Sequence, residues 1–287
     1  MKDINLLSTK ANEIRKNIVS MITEAKSGHP GGSLSATDIL TTLYFHEMNI
    51  DPNNLKMENR DRFVLSKGHA APALYATLAE RGYFDKSLLK TLRKYGSILQ
   101  GHPDMKKVPG VEISTGSLGQ GLSVANGMAL NSKIYGIDYR VYVIMGDGET
   151  QEGQVWEAAM TASHYKLDNV CAFLDFNNLQ IDGNVDKVMG IEPVADKWRA
   201  FGWHVIEIDG HNFEEIIAAL DEAKTVKGKP TLVVAKTVKG KGVSFMENVC
   251  GFHGVAPTAE ECKKALEELS CNCLLYTSPS PRDGLLS

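Results

Sequence analysis

The fold is decided by two stretches of the sequence, RVYVIMGDG at residues 140–148 and VCAFLDFNN at residues 170–178. Each is an apolar, β-branched run typical of a buried strand, and each ends in polar, turn-forming residues. About 30 residues separate the two ends, which is the length of a βαβ crossover. The strands are therefore expected to lie parallel, with Asp147 and Asn177 just beyond their carboxyl ends, where open α/β sheets bind ligands.

The rest of the chain alternates between strand and helix patterns. Strands are predicted at residues 63–65, 140–145, 170–176, 204–208 and 231–235. Helices are predicted at residues 7–25, from Ser35 with Asp38 as its capping-box partner, and at 71–80, 122–133, 155–165, 213–224 and 259–269. This alternation indicates a parallel sheet covered by helices on both faces. We predict an α/β fold, one three-layer parallel-sheet domain covering residues 1–270.

The last segment breaks this pattern. Residues 271–287 read CNCLLYTSPSPRDGLLS, with no periodicity and two Ser-Pro steps directly after a regular helix pattern. We expect residues 271–287 to be a disordered, non-native tail, such as translated adapter or vector sequence, and exclude them from the fold.

Composition narrows the function classes. The chain has 31 Lys+Arg against 35 Asp+Glu, a net charge of −4, so it lacks the basic footprint of a nucleic-acid or membrane-surface protein. No apolar run is long enough to span a bilayer, and the first ten residues lack the apolar core of a signal peptide. Its 5 cysteines have no paired spacing typical of a disulfide scaffold. We expect a cytoplasmic protein that binds neither nucleic acid nor membrane.

Asp147 and Asn177 form half of an oxygen shell for a hard cation. Mg²⁺ prefers oxygen ligands and commonly takes the remaining ones from phosphates and water. The glycines that flank Asp147 allow backbone amides to approach such phosphates closely. Either half alone is more typical of a tight turn or an Asx turn. Both halves at βαβ spacing favour a metal and phosphate site.

Three of the 8 histidines stand in glycine-flanked loops, namely His29, His69 and His102. A single histidine beside glycine is most often a hydrogen-bonded turn residue. Three of them on separate irregular segments indicate proton transfer, because imidazole titrates near neutral pH. They lack the spacing and cysteine company of a zinc site.

Five motifs in this order resemble transketolase. They are SGHPGGSLS at 27–35, LSKGHA at 65–70, QGHP at 100–103, STGSLGQG at 114–121, and the GDG…NN pair at 146–148 and 177–178. The resemblance covers residues 12–269. It implies thiamine diphosphate as cofactor and a divalent cation, Mg²⁺ or another, held by Asp147, Asn177 and the backbone carbonyl of Leu179.

The same resemblance implies further site residues. The implied catalytic residues are His29 and His102, which would contact the sugar, and His253. The implied cofactor-binding residues are His69, Gly116, Ser117, Leu118, Asp147, Gly148, Glu152 and Asn177. Glu152 would also lie at the interface between active sites. The region of His253 departs from the family pattern, because Cys250 stands where another histidine is usual.

Transketolases are normally more than twice as long as this chain, so it resembles the amino-terminal subunit of a split enzyme. The implied reaction moves a two-carbon ketol group between sugar phosphates. A carboxyl-terminal partner subunit would supply the glutamate that activates the cofactor. The resemblance also implies a heterotetramer that acts in the pentose phosphate pathway, and the apolar helix at residues 122–130 indicates self-association.

Three alternatives stay open at this point. The chain could be a subunit of another thiamine diphosphate enzyme, similar to deoxyxylulose-phosphate synthase or a keto-acid dehydrogenase. It could be a nicotinamide-dependent oxidoreductase with Gly116–Gly121 as its dinucleotide turn, although the order of glycines differs from the usual fingerprint. It could also be a non-catalytic assembly protein that keeps the fold.

Overall fold

The centre of the fold is a five-stranded parallel sheet. A computed structural model describes residues 3–277, with side chains described to Ser270. The strands lie in the order β1-β2-β3-β7-β6, and every neighbouring pair is parallel. Their bounds are β1 Arg62–Leu65, β2 Val141–Gly146, β3 Val170–Phe176, β6 His204–Asp209 and β7 Thr231–Lys236. A short antiparallel hairpin, β4 Leu179–Gln180 and β5 Gly183–Asn184, follows β3.

Helices cover both faces of the sheet. Those of the first half are α1 Ile4–Ala25, α2 Pro30–Ser35, α3 Thr37–Thr42, α4 Ala71–Arg81 and α5 Gly121–Tyr135. Those of the second half are α6 Gly153–His164, α7 Val185–Met189, α8 Val194–Ala200, α9 Phe213–Thr225 and α10 Ala259–Thr277. Helices α1, α3, α4, α9 and α10 pack on one face, and α5, α6 and α8 on the other. The predicted three-layer α/β architecture is confirmed.

Strand residues divide alternately between two apolar cores. Tyr142 and Ile144 of β2 belong to the core under α1 and α4, whereas Val141, Val143 and Met145 belong to the core under α5 and α6. This follows from the period of two in a strand, which turns successive side chains to opposite faces. Because both faces are covered, the central strands contain little besides apolar residues.

The second helix begins earlier than predicted. Helix α2 starts at Pro30, because proline is well suited to the first turn, where its missing N–H has no helical partner. The prediction of a helix start at Ser35 with an Asp38 capping box is therefore wrong. The Ser35 hydroxyl donates to Asp175 at 2.6 Å, and Asp38 pairs with Arg15 at 2.6 Å.

The last helix is longer than predicted. Helix α10 runs to Thr277 rather than ending near Leu269, so residues 271–277 are helical and not irregular. The extra stretch contains neither glycine nor proline, and nothing in it interrupts helix propagation. Residues 278–287 of the predicted tail lie outside the described residues. Within the described part of the chain, no helix is both long and apolar enough to cross a membrane.

Candidate active site

Strands β2, β3 and β7 end together at one edge of the sheet. Gly146 of β2 is paired with Asp175 of β3, and Phe176 is paired with Lys236 of β7. The residues that follow each strand therefore meet. One oxygen of Asp147 accepts a hydrogen bond from the Gly148 amide at 2.8 Å, and the other accepts from the amide of Asn178.

The oxygen-bearing residues expected at this edge do lie together. Asn177 turns its Oδ1 atom to the Leu179 amide, 3.1 Å away, while Asp147 contacts the next residue, Asn178. All three candidate metal ligands, Asp147, Asn177 and Leu179, line one cavity of about 370 Å³. The cavity walls also include His29, His69, Gly116, Leu118, Gly148, Glu152, Lys239 and His253.

Three histidines from separate loops form a triangle on the wall of this cavity. The ring centres of His29 and His69 lie 5.3 Å apart, those of His29 and His253 lie 5.5 Å apart, and those of His69 and His253 lie 5.3 Å apart. His253 thus joins the cluster although its sequence surroundings depart from the family pattern. The Nδ1 atom of His29 is buried and has no hydrogen-bond partner among the described residues.

The environment keeps these histidines neutral at pH 7. Burial, followed by the charge of Arg93, lowers the pKa of His29 to about 4. Burial and the charge of Lys239 lower the pKa of His253 to about 3. Burial also lowers the pKa of His69 well below its usual value. Neutral imidazoles can accept a proton or a hydrogen bond from a hydroxyl group.

His102 and Ser117 lie beside the cavity rather than on its wall. The ring of His102 packs so closely against Gly116 that a Cβ atom at that glycine would approach it to 3.1 Å. Ser117 is exposed, as are Leu118 and Glu152 at the cavity mouth. Gly116 has a φ angle of +147°, a conformation that side chains disfavour, so the close contact depends on glycine.

Lys239, which follows β7, was missed by sequence reasoning. It is only 2% exposed, and its Nζ atom donates to the Leu179 carbonyl at 2.7 Å and contacts Nδ1 of His253 at 2.8 Å. Burial lowers the pKa of Lys239 to about 8, and the nearby Lys67 acts in the same direction. None of its hydrogen-bond partners among the described residues is a carboxylate. The signal was available, since β7 was predicted and Lys239 lies just past its carboxyl end.

Two buried carboxylates were also missed, Glu149 on the cavity wall and Asp175, which pairs with the wall residue Lys67. Asp175 forms an ion pair with Lys67, and their side chains are 0% and 2% exposed. Glu149 accepts hydrogen bonds from the Gly146 amide at 3.0 Å, the Gly119 amide at 2.9 Å and the Ser66 hydroxyl. Glu149 therefore ties the end of β2 to the glycine-rich corner before α5.

Burial, reinforced by the negative charge of Asp175, raises the pKa of Asp147 to about 6. A nearby divalent cation would favour the ionised form of this carboxylate. Side-chain and backbone oxygens are the ligands of a hard cation such as Mg²⁺. In the part of the chain that the structure describes, no group of three or more His, Cys, Asp or Glu is arranged to hold a metal. A metal here would depend on the mixed set of Asp147, Asn177 and the Leu179 carbonyl.

The nicotinamide alternative does not fit the structure. A dinucleotide turn joins a strand to the helix that follows it. No strand lies between Thr91 and Gly121 in this fully described part of the chain, so the Gly116–Gly121 corner is preceded by irregular backbone.

Known proteins resemble this chain over most of its length. Residues 7–275 match the family model described as the transketolase thiamine diphosphate binding domain. The chain is 49% identical to a 6-deoxy-6-sulfo-D-fructose transketolase subunit of Clostridium sp. (strain MSTE9), covering 92% of this chain and 96% of that protein. It is 46% identical to an apulose-4-phosphate transketolase subunit of Phocaeicola vulgatus, covering 93% and 95%.

Among solved structures, transketolase from Campylobacter jejuni superposes with a TM-score of 0.87 at 38% identity, covering 94% of this chain and 43% of that one. These relatives confirm the predictions of the thiamine diphosphate-binding fold and of a transketolase subunit. The chain belongs to the transketolase family, through the thiamine diphosphate-binding domain formed by residues 7–275.

Proposed function

We propose that this chain supplies the diphosphate-binding half of a two-chain transketolase. The enzyme would move a two-carbon ketol group from a ketose phosphate to an aldose phosphate. One observation carries the proposal: the oxygens of Asp147, Asn177 and Leu179 share a cavity with three neutral histidines. The oxygens suit a cation bound to a diphosphate, and the histidines suit a polyhydroxylated substrate.

Asp147, Asn177 and the Leu179 carbonyl would hold Mg²⁺ or another divalent cation on the diphosphate. The fit rests on the donor chemistry, which is entirely oxygen, and on the cationic Lys239, which already donates to the Leu179 carbonyl. A metal ion bound to the Leu179 carbonyl would take the place of Lys239 there. The Lys239 ammonium group would then be free to contact phosphate oxygens. The other implied contacts, Gly116, Ser117, Leu118, Gly148 and His69, surround this position or lie beside it.

Thiamine diphosphate, when bound, supplies the carbon nucleophile and the electron sink of ketol transfer. The chain itself supplies position and proton transfer. His29, His102 and His253 would accept and return protons at the sugar hydroxyl and carbonyl oxygens. Lys239 contacts Nδ1 of His253 at 2.8 Å, and if it donates there, the ring proton stays on Nε2.

The partner would be a transketolase carboxyl-terminal subunit that supplies the activating glutamate. Support comes from relatives named as transketolase subunits, of which the chain covers at least 95%. It covers only 42% of human transketolase, to which it is 41% identical. Glu152, exposed at the cavity mouth, is available to an adjoining subunit. The same proposal includes self-association of this chain, together with its partner subunit, in a heterotetramer.

Sugar phosphates are the proposed substrates, used in the cytoplasm. One solved relative, Pichia stipitis transketolase, is a complex with sedoheptulose-7-phosphate, at 34% identity and a TM-score of 0.88. The two subunit relatives are named for different sugars, so the pentose phosphate pathway is one candidate setting among several.

Reconstitution tests this proposal. The purified chain, a transketolase carboxyl-terminal subunit, thiamine diphosphate and Mg²⁺ are combined with a panel of ketose phosphates and pyruvate. We expect ketol transfer that requires all four components and is lost in Asp147→Asn. The control Asp196→Asn removes an exposed carboxylate paired with Arg199 and should retain activity. Pyruvate turnover, full activity from the single chain, or metal-dependent activity in Asp147→Asn would contradict the proposal.

A further inference from the structure

A buried trio of side chains lies behind the loop that carries Lys239. Asp38 receives a hydrogen bond from Nη2 of Arg15 at 2.6 Å, and Nδ1 of His211 lies 2.7 Å from the same carboxylate oxygen. The three side chains are no more than 10% exposed. They come from α1, α3 and the turn before α9, and none of them lines the cavity. We call Arg15, Asp38 and His211 the brace.

The brace contacts the loop on both sides of Lys239. On one side, Nε2 of His211 accepts a hydrogen bond from the Val238 amide at 2.8 Å. On the other side, Nε of Arg15 donates to the Lys241 carbonyl at 3.2 Å. Both contacts are to backbone atoms, so they fix where the loop runs rather than what its side chains are.

The hydrogen-bond pattern of the brace has one consistent assignment. The Val238 amide can only donate, so Nε2 of His211 carries no proton. Nδ1 then carries the ring proton and donates it to Asp38. Burial acts to raise the pKa of Asp38, but Arg15 and the hydrogen bond to His211 outweigh it and lower that pKa, so the carboxylate stays ionised. Arg15 thus keeps Asp38 ionised, and Asp38 keeps the ring proton of His211 on Nδ1. Nε2 of His211 is then free to accept from the Val238 amide.

The loop is also held by main-chain hydrogen bonds, one of which runs from the Asn248 amide to the Lys239 carbonyl at 2.9 Å. The Gly240 amide donates to the Gly31 carbonyl at 3.0 Å. A Cβ atom at Gly31 would come within 3.0 Å of the Lys239 side chain, so the lysine stem runs directly over that glycine. Lys239 is therefore held between the α2 region and the brace, with its ammonium group directed to Leu179 and His253.

We propose that the brace, and His211 above all, is a positioning device that aims Lys239 at the diphosphate. This rests on the proposed function, in which Lys239 meets phosphate oxygens. His211 touches neither cofactor nor substrate and acts only through the loop. Removing its imidazole ring would leave the buried Val238 amide without its Nε2 acceptor and the buried Asp38 carboxylate without its Nδ1 donor, which the loop would relieve by moving.

A double-mutant cycle tests the proposal. Thiamine diphosphate with Mg²⁺ is titrated into the full chain, and its dissociation constant is followed by ³¹P NMR for the wild type, Lys239→Met, His211→Leu and the double variant. Lys239→Met should weaken binding roughly 10- to 100-fold, because it removes a charge-assisted contact. His211→Leu should weaken binding about 5- to 10-fold alone, and hardly at all once Lys239 is replaced.

Two further variants separate positioning from general damage. His211→Gln offers an amide oxygen in place of Nε2 and should recover most of the affinity. The control His204→Leu removes a histidine from the neighbouring strand β6, where it pairs with Glu222 near the surface at 2.6 Å, and should leave affinity unchanged. Equal effects of His211→Leu with and without Lys239 would overturn the proposal, as would no recovery in His211→Gln.

Hydrogen exchange in the cofactor-free chain gives a readout that does not depend on the proposed function. His211→Leu should speed exchange of the Gly240 amide several-fold while leaving amides in the middle of β3, such as Phe173, unchanged. An unchanged Gly240 amide would refute the positioning role. If Gly240 responds but Lys239→Met binds thiamine diphosphate normally, the positioning role of the brace on the loop stands and the proposed contact between Lys239 and the diphosphate fails.

Discussion

Replacing Lys67 by methionine should destabilise the fold more than any surface charge change. The Lys67 ammonium donates to the Gly32 carbonyl at 2.7 Å and pairs with Asp175, and the two side chains are 2% and 0% exposed. Methionine keeps the length of the stem but leaves the Asp175 carboxylate buried without a counter-charge. Its remaining side-chain partners would be the hydroxyls of Ser35 and Thr237.

Breaking a buried pair by removing one partner costs about 3–5 kcal/mol, against a total stability of about 5–15 kcal/mol. In a chain of this size that corresponds to a fall in melting temperature of about 10 °C. Urea unfolding followed by circular dichroism measures the loss. Lys94→Met is the matched control: its pair with Glu24 is 2.8 Å long, but the side chains are 51% and 55% exposed, so its loss should change the free energy of unfolding very little.

Adding Asp175→Asn to Lys67→Met separates charge from packing. Because the second change removes the uncompensated charge, the double variant should be more stable than Lys67→Met alone. Equal losses in Lys67→Met and Lys94→Met would refute the reasoning. So would a double variant in which the two single losses simply add.

Three more predictions follow from the buried polar groups and glycines. Glu149→Gln replaces one acceptor oxygen by a donor facing backbone amides and should cost about 1–3 kcal/mol in urea unfolding, whereas exposed Glu157→Gln should cost almost nothing. Asp38 has a lowered pKa, so its contribution to stability is complete above its usual value of 3.8 and is lost as the pH falls through the lower folded value. The stability difference between wild type and Asp38→Asn should therefore shrink below about pH 4, and a difference that grows there would contradict the sign. Gly240→Ala, at φ +81° with the Met246 carbonyl in the way of the new Cβ, should cost clearly more in the same unfolding assay than Gly228→Ala, at φ +70° with open space around it.

The sheet and the position of Asp147 and Asn177 at one of its edges could be predicted because their signals are local. Buried strands show as apolar runs, and the polar residues that follow two such runs meet wherever the strands are parallel neighbours. This rule alone predicts that Asp147 and Asn177 lie close together. The bounds of β3, Val170–Phe176, agree with the prediction to the residue.

What could not be predicted depends on pairs that are far apart in the chain. Lys67 and Asp175 are 108 positions apart, and His211 and Asp38 are 173 apart, so no local pattern links them. His211 lies in the turn before α9, and no pattern in the neighbouring sequence indicates that its side chain is buried against Asp38. Helix α2 is a different case, because glycine and proline usually interrupt helices, whereas Pro30 occupies the first turn of this one.

The charges around the cavity explain why a metal and a diphosphate would bind together. Asp147 is buried beside a second carboxylate, and Lys239 is buried beside a second ammonium group, so each ionised form is disfavoured in the free chain. A cation alone relieves Asp147 but adds positive charge near Lys239, and a diphosphate alone does the reverse. Only the two together relieve both groups, so each should raise the affinity of the site for the other by the same factor.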